Sequence, residues 1–237
     1  MALALNRENY VLHKLHSLTG VVPVGYYMAQ HLLLNTFSVA SPAKFNGVLA
    51  FFEGIPNYVL LVLEIVAIWV PLLFHSIYGI FITGRAKQNY IGDKYGWSQN
   101  RMYTLQRVSG LFIAVFLIYH VWSTTIDKYL FTHNLSHLTY AAWQVKLTSY
   151  GYFFLVFYML GVLASSYHLG YGIWNFCIRW GITISDRAQR QVQKISLAIF
   201  LGLTALGWVA LFGFLIHKVE PQTTAVSIPS ATRTARR

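Results

Sequence analysis

The sequence predicts an all-α membrane protein with five transmembrane helices, and three observations carry that prediction. Of the 237 residues, 56% are hydrophobic and only 11% charged, where a soluble domain carries about a quarter. Five apolar runs are each long enough to cross a bilayer, which takes roughly 20 residues. Polar, turn-forming stretches such as S-P-A-K-F-N-G and K-Q-N-Y-I-G-D-K-Y-G-W-S-Q-N separate those runs.

In chain order the expected spans cover residues 17–37, 57–84, 107–126, 148–180 and 192–217. The second and fourth exceed the minimum and are expected to tilt or project. Pro23 and Pro71 lie inside the first two and are expected to kink them. No repeat of fixed period is present. The stretch 218–237, rich in Ser, Thr and Ala, reads as a disordered tail behind a single domain over 1–217. The start, M-A-L-A-L-N-R-E-N-Y, lacks the basic-then-apolar pattern of a cleaved signal peptide.

Charge sets the expected orientation. Arg7, Lys14, Arg85, Lys87, Lys94, Arg101, Arg107, Arg179, Arg187, Arg190 and Lys194 fall on one side of the spans, against Lys44, Lys128, Lys146 and Lys218 on the other. The positive-inside rule puts the N-terminus in the cytoplasm and the C-terminus outside. Arg233, Arg236 and Arg237 in the tail run against it. The net charge of +11 is scattered between apolar runs rather than gathered in a patch, which argues against nucleic acid. Cys177 is the sole cysteine, so no disulfide framework, covalent haem attachment or iron–sulfur cluster can be built from this chain alone.

His31, His75, His120 and His168 sit one on each of the first four spans. Any one of them could be a core histidine bonded to a neighbouring carbonyl. Four on four helices point instead to function, because ionisable groups inside a membrane are costly. Measured from the outer helix ends, His31 is four residues from Asn35 and His120 seven from Asp127, about 6–10 Å deep. His75 is 18 residues from Asn57 and His168 is 19 from Ser149, about 27–28 Å deep. The histidines thus sort into an outer pair, His31 with His120, and an inner pair, His75 with His168. Two stacked bis-histidine pairs are what two b-type haems need.

The neighbours fit that reading. Gly79 and Gly172 follow His75 and His168 by four residues, which leaves room for a porphyrin edge or for close helix packing. Arg179, Ser17, His16, Gln106 and Ser109 lie near the inner boundary as candidate propionate partners, or as snorkelling and end-satisfying groups. Glu64, eleven residues before His75, joins Asn35 and Asp127 as a candidate outer quinone or proton site; a hydrogen-bonded structural glutamate is the other reading. His133 and His137 have metal-compatible spacing but read better as a solvated loop pair.

The motifs H-S-L-T-G-V-V-P-V-G-Y-Y-M-A-Q-H, P-L-L-F-H-S-I-Y-G, L-Q-R-V-S-G-L-F…Y-H-V-W and H-L-G-Y-G-I-W-N-F…W-G-I-T resemble the succinate dehydrogenase cytochrome b subunit. The resemblance is to the single-chain, five-helix, dihaem type of menaquinone-using bacteria, a relative of the fumarate reductase cytochrome b subunit. It covers residues from about 7 to 217. It implies that His31 and His120 bind the distal haem b, that His75 and His168 bind the proximal one, and that Arg179 meets a propionate. It also implies a cytoplasmic face that docks an iron–sulfur subunit and an FAD flavoprotein, menaquinone as acceptor, and a multi-pass place in the bacterial cytoplasmic membrane. Succinate chemistry would belong to the flavoprotein, since this chain has no flavin-binding glycine motif. Dimers and trimers of the complex both stay open. Two alternatives also stand: a dihaem quinol-oxidising subunit of another respiratory oxidoreductase, and a haem-free protein whose histidines relay protons.

Overall fold

The computed structural model of the protein describes residues 2–85 and 98–219. Lys87, Lys94 and the tail from residue 220 lie outside the described residues. Among the described residues every regular element is helical, with no strand. Four helices are long and apolar enough to cross a membrane: Asn57–Arg85, Ser98–Thr132, Tyr140–Arg179 and Asp186–Ile216.

The first expected span lies within one helical run made of α1 (Ala2–Thr19), a π-helical stretch (Gly20–Gly25) and α2 (Tyr26–Asn35). Tyr26, Tyr27, Gln30 and His31 make it more polar than the other four spans. Pro23 sits in the π-helical stretch. It offers no N–H to the Thr19 carbonyl, and the helix absorbs the loss by widening its turn. Pro71 repeats the arrangement: α5 (Asn57–Glu64) passes through a π-helical stretch (Ile65–Trp69) into α6 (Val70–Arg85), with Pro71 just beyond the wide turn.

Between these runs lie α3 (Phe37–Ala40) and α4 (Pro42–Glu53). Ser41 caps α4 by accepting the Lys44 N–H at 3.1 Å, with Pro42 in the first turn, where a missing N–H costs nothing. Next come α7 (Ser98–Val121) and two π-helical stretches, Trp122–Ile126 and Lys128–Thr132. Thr139 caps α8 (Tyr140–Arg179), and Ser185 caps α9 (Asp186–Ile216), whose first residue sets a carboxylate at the positive helix end. The reversal between α8 and α9 turns on Gly181, at φ +70°. The Ile182 N–H reaches the Cys177 carbonyl at 2.9 Å and the Gly181 N–H the Ile178 carbonyl at 3.1 Å, which closes the helix end as a Schellman motif.

The fourth span differs from expectation. Ser149 is extended, and Tyr150, Gly151 and Tyr152 are all left-handed, so α8 is two helices, 140–148 and 153–179. The span therefore begins near 153 rather than 148, and 140–148 belongs to the cap at one end. That end, called upper below, also carries α3, α4 and the close of α9. Its dry core gathers Phe45, Phe116, Tyr140, Trp143, Leu147, Leu155, Tyr158, Leu211 and Phe214. The Tyr140 hydroxyl donates to the Gly213 carbonyl at 2.6 Å, Ser38 Oγ to Ala210 O at 2.7 Å, and Gln144 Nε2 to Phe214 O at 2.9 Å. Small residues let α8 and α9 approach closely: a Cβ on Gly170 would lie 2.7 Å from the Ser196 carbonyl, and one on Gly207 2.6 Å from Val162.

Candidate functional site

The bundle brings the four histidines together in two pairs. The His31 ring on α2 lies 5.8 Å from that of His120 on α7, with planes at 76°. The His75 ring on α6 lies 6.0 Å from that of His168 on α8, with planes at 90°. Depth along the helices predicts this sorting, although His168 is 15 residues from the helix restart at 153, about 22 Å rather than 28. Among the described residues no hydrogen bond links the two rings of either pair, and no group of three or more His, Cys, Asp or Glu converges as metal ligands. The donor sets are therefore imidazole pairs, unlike the four-ligand sets of structural zinc.

The lower pair, His75 with His168, is held by backbone. His75 Nδ1 donates to the His16 carbonyl at 2.9 Å, and His168 Nδ1 to the Gln106 carbonyl at 3.0 Å. A carbonyl can only accept, so both protons sit on Nδ1, and Nε2 of each ring is the nitrogen available to a metal. Gln106 returns the contact, its Nε2 donating to the His168 carbonyl at 3.1 Å. Ser109 Oγ touches His168 Nδ1 at 3.3 Å. The His16 ring stacks on His75 at 4.1 Å, the planes nearly parallel.

The same device serves both lower histidines. Thr19 Oγ1 donates to the His16 carbonyl and Ser109 Oγ to the Gln106 carbonyl, each at 3.0 Å. One residue further on, Gly20 lies against the His75 ring and Gly110 against the His168 ring; a Cβ on Gly110 would lie 2.9 Å from His168 Cε1. The residue four before each glycine offers its carbonyl, and the absent Cβ lets the ring reach it.

The upper pair, His31 with His120, is held by side chains. His120 Nδ1 lies 3.4 Å from the buried Tyr158 hydroxyl, and its ring stacks on Phe116 at 5.6 Å. His31 stacks on Tyr27 at 5.7 Å.

The expected partners fall out unevenly. Ser17 Oγ accepts from Trp180 Nε1 at 3.1 Å and donates to Lys14 O at 2.8 Å, so its capacity is taken up within the helix end. Buried His13 Nδ1, His16 Nδ1, Gln106 Oε1 and Arg107 Nε have no hydrogen-bond partner among the described residues. Arg179 lies near enough to His13 and His16 for its charge to act on both. Burial, and then that charge, push the His13 imidazole below its ordinary value. A Cβ on Gly79 would meet His16 at 3.1 Å, and one on Gly172 would meet Gln106 at 3.5 Å. Sharing a face with a histidine does not say which neighbour covers that face.

Glu64 lies at the upper end. It accepts from the Tyr129 hydroxyl at 3.1 Å and pairs with Lys128 at 3.9 Å. Asn35 Nδ2 donates to the His31 carbonyl at 2.7 Å, closing its own helix end. Asp127 lies 3.5 Å from His137, which also contacts Thr124 O and Thr132 Oγ1. Trp122, Ser123, Asp127, His137 and Lys146 line a cavity of about 330 Å³.

Over 210 residues the chain is 36% identical to the succinate dehydrogenase cytochrome b558 subunit of Bacillus subtilis (strain 168), covering 88% of this chain and 98% of that relative. The chain belongs to the succinate dehydrogenase cytochrome b family. It is accordingly a membrane protein, and its four long apolar helices agree. No family model matches it, and no solved structure does.

In this family member three site residues escaped the reading of the sequence: Gly20, Gly110 and Tyr158. The two glycines had a signal, because H-S-L-T-G and Q-R-V-S-G share a hydroxyl residue just before the glycine and place it four after the residue whose carbonyl accepts from the ring. Tyr158 had none, being one of 16 tyrosines.

Proposed function

We propose that this chain is the membrane anchor and electron-transfer subunit of a bacterial succinate:quinone oxidoreductase, set in the cytoplasmic membrane with its lower end facing the cytoplasm. The observation that carries the proposal is the two imidazole pairs, with three of the four rings held through Nδ1. Orphaned buried nitrogens around the lower pair, Arg107 Nε and the Nδ1 atoms of His13 and His16, support it, because as donors they suit the carboxylates of a bound cofactor. His75 with His168, and His31 with His120, would each hold one b-type haem. When bound, such a group would supply one-electron redox chemistry.

The chain's own residues then do the holding and orienting. His16 and Gln106 fix the lower rings through their carbonyls. His13, His16, Arg107 and Arg179 surround the lower end as partners for carboxylates. Five spans, counting the run through α1 and α2, form the bundle over 1–217. Its basic lower face, with Arg187, Arg190 and Lys194 at the start of α9, receives an iron–sulfur subunit beside a flavoprotein that oxidises succinate. The upper cavity beside Asp127 and His137 is the proposed end for a quinone, menaquinone by family resemblance.

The test is His75→Ala in the purified complex, read by haem content per polypeptide and the reduced-minus-oxidised spectrum. One of two b-type components is lost and the other kept. Both surviving at full occupancy overturns the assignment.

A further inference from the structure

We propose that Tyr158 is the positioning residue of the upper pair, and that it couples His120 to the charged cavity above it. The inference rests on the haem assignment just proposed and adds a residue that motif and spacing leave unassigned.

Three observations meet at this hydroxyl. First, it is the polar contact of His120 Nδ1, at 3.4 Å, and Tyr158 is buried at 4% exposure within the dry upper core. Second, Tyr158 is fixed in place: its ring packs edge-on against Trp143 at 5.2 Å and Phe116 at 5.5 Å, while Phe116 stacks on His120 itself. The phenol therefore cannot swing away without moving the ring that carries it. Third, Ser123 neighbours the Tyr158 hydroxyl closely enough to act on it, and its Oγ donates to the His120 carbonyl at 3.4 Å. Ser123 Oγ also accepts from Lys146 Nζ at 3.4 Å. Ser123 and Lys146 both line the upper cavity with Asp127 and His137. A chain of polar contacts thus runs from cavity to ligand as Lys146, Ser123, Tyr158, His120.

Chemistry sets the direction along it. Lysine can only donate, so the serine oxygen accepts from it. For Nε2 of His120 to be a ligand, Nδ1 must carry the proton, so Nδ1–H donates to the Tyr158 oxygen. That bond raises the basicity of the imidazole and favours the oxidised state of a metal it ligates. At the lower pair the carbonyls of His16 and Gln106 take the same position, and Ser109 Oγ, 3.3 Å from His168 Nδ1, gives its proton to the Gln106 carbonyl rather than to a cavity group. A carbonyl has no proton to redirect. A phenol has one, and its polarisation depends on what Ser123 and Lys146 contact. Whatever enters the upper cavity is therefore felt at the upper histidine and not at the lower.

The experiment is a potentiometric titration of the two b-type components in the intact complex, at fixed pH, with Tyr158→Phe. Losing one ordinary hydrogen bond raises the upper midpoint so that the ratio of reduced to oxidised form at a set potential changes about fivefold, or about 40 mV at 59 mV per tenfold. The lower component stays in place. Tyr58→Phe, at an exposed tyrosine outside this chain of contacts, moves neither component. If Tyr158→Phe fails to retain the upper component, Ser123→Ala decides: a smaller rise supports the coupling, and no movement overturns it. A wild-type complex without two b-type components overturns the proposed function and this inference together. Two normal components, both unmoved by Tyr158→Phe, overturn this inference alone.

Discussion

Gly20→Ala tests the lower site without touching a ligand. The added Cβ would collide with His75 Cε1 and come within 2.5 Å of Nδ1 and 3.1 Å of Nε2. The imidazole cannot yield freely. Its Nδ1 is tied to the His16 carbonyl at 2.9 Å, and its face is covered by the His16 ring at 4.1 Å. Nor can Gly20 withdraw, because it opens the π-helical stretch that Pro23 imposes on the first helical run. Overpacking of this kind costs about 1–3 kcal/mol. Set against the held position of His75, that is a factor of roughly 5 to 150 in the population with the ring in place.

Haem content per polypeptide and a two-component redox titration read the outcome: the lower component is depleted or displaced while the upper is unchanged. Gly110→Ala acts in the same way on His168 but less, since its Cβ would meet Cε1 at 2.9 Å and Nδ1 at 3.3 Å. Gly202→Ala, whose Cβ would meet nothing within 4 Å, is the helical control and costs nothing. If Gly20→Ala keeps both components at wild-type stoichiometry and potential, the glycine does not govern the histidine and the reasoning fails.

Two further outcomes follow from the same geometry. Tyr140→Phe removes a fully buried hydroxyl that donates to Gly213 O at 2.6 Å and accepts from the His217 N–H at 3.3 Å; the orphaned carbonyl costs about 1–3 kcal/mol, seen as a lower unfolding midpoint in detergent, and an unchanged midpoint would remove the hydroxyl from the upper cap. Single cysteines at Lys194 and Lys44, in a Cys177→Ser background, react with a membrane-impermeant thiol reagent from opposite sides of the membrane, Lys44→Cys from outside intact cells; labelling of both from one side would overturn the orientation.

The helical bundle was legible because its signals are local. Apolar length announces the spans, and Ser41 with Pro42, Thr139, and Ser185 with Asp186 mark three helix starts in residues alone. The histidine sorting was legible because rise per residue converts sequence position into depth, and an error of a few residues in the start of α8 does not reverse a difference of some 15 Å. The break at 149–152 was hidden, since Tyr150 and Tyr152 take a left-handed conformation usually reserved for glycine and asparagine. The partners of Glu64 were hidden for another reason. A helical repeat fixes the face a side chain leaves from, but Tyr129 and Lys128 arrive from a segment 65 residues away and turn the carboxylate to themselves.

The two pairs also differ in what can change them, and the difference comes from where each second contact originates. For the lower pair the acceptors are main-chain carbonyls, His16 O and Gln106 O, each already drawn on by a hydroxyl three residues later. Such back-bonding bends a helix slightly, and the following glycine leaves the opened carbonyl accessible to an imidazole from the next helix. No substitution at position 16 or 106 removes a carbonyl, so the lower rings are fixed by backbone that only Gly20 and Gly110 make reachable. The pattern also interlocks the bundle: the first helical run holds the histidine of α6, and α7 holds that of α8. The upper pair relies instead on Tyr158, Phe116 and Tyr27, side chains that can be replaced or repolarised one at a time. A rigid site thus sits at the basic lower end and an adjustable one beneath the charged upper cavity. That ordering suits a conduit whose lower end meets a fixed protein partner and whose upper end meets a small molecule that comes and goes.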